Sequence, residues 1–169
     1  MQSLISAGIL LTLINLSGIT GCALMQSTNP PPETMDPVEQ VYTAKFDAVW
    51  LATQKALAAY PIRLNDMDVR ILETESITTD KYWNPPHLSK LTSGDEYRLI
   101  VRVIEGDIDG AQAQKVSVSK IVHRKKDFFS NKQQIPSSGL EEKALLYRIQ
   151  RELTIEKALE KAQKKSSGF

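Results

Sequence analysis

The sequence predicts an α+β domain: an antiparallel sheet packed on a long C-terminal helix, with a short helix near its start. Three observations predict it. Apolar side chains recur at helical spacing from Phe46 to Tyr60. They alternate at every second position from Tyr97 to Ile104 and from Val116 to Val122, the period of strands with one buried face. Helical spacing then returns from Leu140 to Ala162.

The first element is a short strand at Gln40 to Thr43, followed by a helix from Asp47 to Tyr60. Phe46, Val49, Trp50, Thr53, Leu57 and Tyr60 share one face of that helix. Asp47 is placed to act as N-cap and Pro61 stops the run. Trp50 reads as a core residue, with ligand stacking as the alternative. "IRL" and "VRILETESIT" then read as a hairpin, turning at Asn65 to Asp68. Ile71 beside Leu72 breaks the alternation, which predicts a bulge or burial on both faces. Glu73 and Glu75 share a strand face and read as solvated carboxylates ahead of an acid and base pair.

Lys81 to Gly94 is a long connection containing Trp83, Pro85, Pro86 and His87, which either folds back onto the sheet or meets a partner. In the next hairpin Tyr97, Leu99, Val101 and Val103 alternate with Arg98, Ile100, Arg102 and Ile104, and Asp107, Asp109 and Gly110 form its tip. A calcium loop counted from Asp107 would put Gln112 where glycine is needed and Val118 where a bidentate glutamate is needed, so "DIDG" reads as a turn.

His123 to Lys126 is a basic run, expected as a solvated sheet edge that discourages strand addition, or as a surface drawn to anionic headgroups or an acidic partner. Phe128 and Phe129 follow; two neighbours on a strand cannot both point inward, so one is expected as an exposed anchor. Ser138 and Glu141 have the spacing of a capping box that opens the last helix, which is expected to run to Lys164. That helix has two apolar stripes. Leu145, Leu146, Ile149 and Leu153 form one, and Leu140, Ala144, Tyr147, Ile155, Ala158 and Ala162 the other. Arg151 falls in the second stripe, which is therefore expected to be partly exposed.

Lys and Arg number 21 against 20 Asp and Glu, a net charge of +1 that argues against a nucleic-acid partner. With 7% aromatic residues and two histidines, catalysis has little to work with; no enzyme activity, metal or cofactor is expected. Cys22 is the one cysteine, so the domain must fold without disulfides.

"LSGITGC", Leu16 to Cys22, follows an uncharged apolar stretch too short to span a bilayer, for which about 20 residues are needed. It has the form of a secretory signal core, although Met1, Gln2 and Ser3 lack the usual opening Lys or Arg. Ile19, Thr20, Gly21 and Cys22 resemble the lipobox of bacterial lipoproteins. The resemblance implies that residues 1–21 are removed and that Cys22 is lipidated and becomes the mature N-terminus. Several acyl chains anchor a protein essentially permanently, where one is marginal. Ala23, where Asp would favour inner-membrane retention, points to the outer membrane with the domain on the periplasmic face. Residues 22–37, with Pro30, Pro31, Pro32 and Pro37, read as an extended tether, 38–165 as the domain and 166–169 as a frayed tail.

From Lys45 to Ile77 the pattern resembles the BamC family of outer-membrane assembly lipoproteins, on Phe46, Val49, Trp50, Ala52, Leu57, Ile71 and Thr74. The resemblance implies a helix-grip-like domain and a lipid-anchored, non-enzymatic accessory role. The chain departs from the family in having one domain, and in placing Val69 or Arg70 where a glycine is expected. The leading expectation is an accessory or scaffold subunit of an outer-membrane complex. It would be held by membrane lipid at Cys22 and would dock a protein partner through Phe128 and Phe129 or through Leu140, Tyr147 and Ile155. The alternative is a periplasmic binding module holding a lipid or other hydrophobic ligand in a helix-grip cavity.

Overall fold

The computed structural model describes residues 36–83, 94–125, 127 and 129–166. Cys22, most of the tether, Pro85, Pro86, His87, Lys126, Phe128 and the last three residues lie outside the described residues. The elements in order are β1 (Val38–Tyr42), α1 (Phe46–Ala56), β2 (Ile62–Asp66), β3 (Ile71–Thr74), β4 (Asp95–Ile108), β5 (Ala111–Arg124), β6 (Gln133–Ile135) and α2 (Leu140–Ser166). They form a six-stranded antiparallel sheet packed against the long C-terminal helix, with the short N-terminal helix beside it.

β4 and β5 organise the sheet, pairing from Asp95 with Arg124 to Ile108 with Ala111. Their tip is a two-residue turn in which Asp109 and Gly110 both have positive φ, 51° and 77°. Asp-Gly suits that turn because its twist matches the strands on either side. β3 and then β2 extend the β4 side. The far edge of β5 is shared: β1 covers Gln114 to Val118 and β6 covers Val122 to Arg124.

The alternation read from the sequence sets the buried face. Tyr97, Leu99, Val101 and Val103 of β4 join Val116, Val118 and Val122 of β5, Leu72 of β3 and Tyr42 of β1. Val49, Trp50, Ala52 and Ala56 of α1 and Leu145, Leu146, Ile149 and Leu153 of α2 complete one core. Trp50 is 4% exposed and stacks on Phe46 with ring centroids 5.8 Å apart. Burial of each Leu, Ile or Val contributes about 1.5–3 kcal/mol. The Tyr42 hydroxyl donates to the Leu146 carbonyl at 2.8 Å and so ties β1 to α2.

Several local expectations give way to packing. Lys45, with no side-chain cap bond, precedes α1, and Asp47 sits inside its first turn. The β2–β3 turn lies at Met67 to Arg70, because Asn65 and Asp66 pair with Leu72 and Ile71. Asp66 Oδ1 holds that turn by accepting from the Asp68 and Val69 amides. At Ile71 and Leu72 the expected burial on both faces holds, with Leu72, Glu73 and Thr74 all buried and Ile71 half-buried, while the register irregularity falls between Ile62 and Leu64 of β2. Arg70 has φ of 60°, a left-handed conformation that favours glycine; this is one of the two positions where the family pattern would place one.

His123 and Arg124 do not form a sheet edge, since β5 is paired there with β4 and with β6. Arg124 grips Asp95 through two bonds, at 2.7 and 2.8 Å, and the pairing raises the guanidinium pKa. β6 itself lies within the stretch read from sequence as a polar loop.

Candidate docking surface

α2 has 27 residues. At about 1.5 Å per residue it is roughly 40 Å long, and its buried residues all lie in its first half, from Glu141 to Leu153. Leu153 is its last buried residue, and the helix continues to Ser166. Leu140 is 40% exposed, Tyr147 67% and Ile155 42%, so the three stripe residues singled out by sequence are brought onto one outward face. Arg151 is exposed among them. Leu159, 55% exposed, completes an i, i+3, i+4, i+7 set with Ile155, Ala158 and Ala162 that the sequence reading missed. The spacing was the available signal.

Beside this stripe a groove of about 180 Å³ runs between α1 and α2. Ala48, Leu51, Ala52 and Leu153 line it together with Asp47, Glu152, Glu156, Glu160 and Lys55. Leu51 is 44% exposed there. Lys55 is bound to Glu156 at 3.2 Å.

The other expected anchor lies on a different element. Phe129, in the β5–β6 connection, is 94% exposed. Asp127 Oδ1 shapes that connection by accepting from the Phe129 and Ser130 amides at 2.9 and 2.7 Å. Phe128 is outside the described residues.

A buried polar cluster holds the start of α2. Glu141 is 1% exposed, and its Oε1 accepts from the hydroxyls of Tyr60 at 2.8 Å and Tyr97 at 3.1 Å. Lys120 Nζ donates to its Oε2 at 2.7 Å and lies 4.0 Å from the centre of the Tyr97 ring. Burial, and then the neighbouring carboxylate, push both tyrosines above their ordinary pKa. The capping box is therefore replaced: Glu141 turns into the core, and Gly139 stands before the first helical residue. Three donors converge on one carboxylate, which suits a fastener joining α2 to β4, β5 and the chain before β2. Lys120 could have been found by parity, because it falls with Val116, Val118 and Val122 on the inward face.

Glu73 also departs from its sequence reading. Its carboxylate is largely buried between Arg63 and Arg98, whereas Glu75 is exposed. At the start of the long connection Tyr82 stacks on Tyr60, and Trp83 lies beside the Arg148 guanidinium of α2, 6.0 Å from it. No helix among the described residues is long and apolar enough to cross a membrane. Comparison of the chain with protein-family models and with curated proteins finds no match in either.

Proposed function

We propose that this chain is a lipid-anchored lipoprotein on the periplasmic face of the outer membrane, and a non-enzymatic accessory or scaffold subunit of an envelope complex. The BamC resemblance implies the same kind of role. One observation carries the docking reading: α2 outlasts its own core, presents Tyr147 and Ile155 away from Leu145, Ile149 and Leu153, and leaves Leu159 exposed beyond them. Apolar surface on a helix needs a partner to bury it, and within the domain that need is already met by the inner stripe. The anchor reading rests on Leu16 to Cys22.

The test places a photo-crosslinking residue at Ile155 in the full chain in cells. A discrete crosslinked envelope protein is expected, and Tyr147→Lys should abolish it while leaving folding stability within about 0.5 kcal/mol, as for an exposed site. Unfolding by Tyr147→Lys, together with bound lipid in the wild type by native mass spectrometry, would overturn docking in favour of the cavity. Metabolic labelling with a fatty-acid analogue should mark the wild type and spare Cys22→Ser. Equal labelling of the two would remove the anchor.

A further inference from the structure

The groove between α1 and α2 has a chemistry that an apolar stripe alone does not require. Its floor is Ala48, Leu51, Ala52 and Leu153, and its rim carries four carboxylates, from Asp47, Glu152, Glu156 and Glu160. Lys55 is the single cation in its lining, and Glu156 already engages it at 3.2 Å. Glu152, Glu156 and Glu160 follow one another at i, i+4, i+8, so they form a row along α2. Like charges at that spacing weaken a helix left alone, and cations set against the row relieve the repulsion.

We propose that this groove seats a lysine- or arginine-rich amphipathic helix of a partner protein. Its apolar edge would rest on Leu51 and Leu153, and its cations would meet Glu152, Glu156 and Glu160. The assignment goes beyond the docking reading above, since the groove is a separate surface beside the Tyr147 stripe.

Three features favour this occupant. The walls are themselves helices, so a third helix packs by the same ridges and grooves. The glutamate row spans two turns, about 12 Å, and a helix offers cations at the matching i, i+4 spacing. Anionic headgroups would be repelled by the same row. A second copy of this chain could offer Lys157, Lys161 and Lys165 from its own α2. Self-association through those lysines is the competing outcome.

The test uses the full chain in detergent micelles and a labelled amphipathic helical peptide of lysine and leucine, followed by fluorescence anisotropy. Saturable binding is expected, weakened at least tenfold by the triple variant Glu152→Gln, Glu156→Gln, Glu160→Gln. Binding should fall with added salt and be unaffected by Tyr147→Lys. Circular dichroism should report a retained helix and no large loss of melting temperature for the triple variant, since relief of the like-charge row offsets loss of the exposed Lys55–Glu156 pair. Equal binding of a scrambled peptide of the same composition, or of the glutamate and leucine twin, would overturn the proposal. So would full binding by a correctly folded triple variant, or self-association that displaces the peptide. A chain that captures the peptide through these glutamates but escapes the membrane fraction would keep the groove assignment and remove the envelope reading.

Discussion

Glu141→Gln is the sharpest perturbation of this fold, because it changes charge with almost no change of volume. The carboxylate is 1% exposed and Lys120, its partner at 2.7 Å, has a side chain 13% exposed. Removing one member of a buried pair leaves the other charged and uncompensated, which costs about 3–5 kcal/mol. The amide oxygen can still accept from Tyr60 or Tyr97, but its NH₂ group would face the Lys120 ammonium, donor to donor. Replacing both charges is a different matter. Glu141→Gln with Lys120→Met should recover at least about 2 kcal/mol of the single variants' summed losses, since buried pairs exchanged for apolar groups are often neutral. Urea unfolding of the Cys22→Ser background, followed by tryptophan fluorescence, measures all four corners of the cycle. A loss under about 1 kcal/mol for Glu141→Gln, or no coupling to Lys120, would refute the view of this cluster as a buried fastener.

Gln114 is fully buried, and neither polar atom of its amide finds a partner among the described residues. Gln114→Leu should therefore stabilise the domain by about 1–2 kcal/mol in the same urea assay, and a loss would show that the amide is satisfied in solution. At Arg70, φ of 60° predicts that Arg70→Gly is more stable than Arg70→Ala by about 1 kcal/mol, because both lose the bond to Glu105 and only alanine keeps the strain. Equal denaturation midpoints would place the strain elsewhere. Tyr42, Tyr60 and Tyr97 are raised above 10 chiefly by burial, so the folded state keeps protons that the unfolded state loses. Their contribution is complete below pH 10 and declines as pH rises from there toward the folded values. Denaturation midpoints flat from pH 9 to 11 would contradict that.

Residue pattern revealed the parts of this fold that repeat. The β4 and β5 alternation and the apolar face of α1 are each a periodic string; burial follows them closely in β4 and α1, while Ala113 and Ser117 of β5 are buried out of phase. The two stripes of α2 were legible for the same reason, and with them the outward placement of Leu140, Tyr147 and Ile155. What escaped was nonlocal. β6 has three residues and no pattern of its own; it exists because β5 has an uncovered edge at Val122 to Arg124. The basic run was misplaced at an edge for the converse reason, since both of its neighbours come from elsewhere in the chain. Glu141 has the spacing of a capping box, and only Tyr60, Tyr97 and Lys120, from three other segments, draw it inward. The glutamate row of the groove could be read along α2, but Asp47 and Leu51 reach it from a helix about a hundred residues earlier.

The last of the described elements, α2, supplies Leu145, Leu146, Ile149 and Leu153 to a core whose other described members all precede it. A chain delivered N-terminus first therefore completes β5 with only α1 to lay over its apolar face until Leu145 to Leu153 follow. For that interval Leu99, Val101, Val116 and Val118, each fully buried at the end, lack the part of their cover that α2 supplies. Such surfaces make partly delivered chains prone to aggregation and in need of a chaperone. Arrival of α2 then closes this core. A stop codon placed before Leu145 should yield a chain that chaperones hold and proteases clear, whatever the quality of the sequence ahead of it.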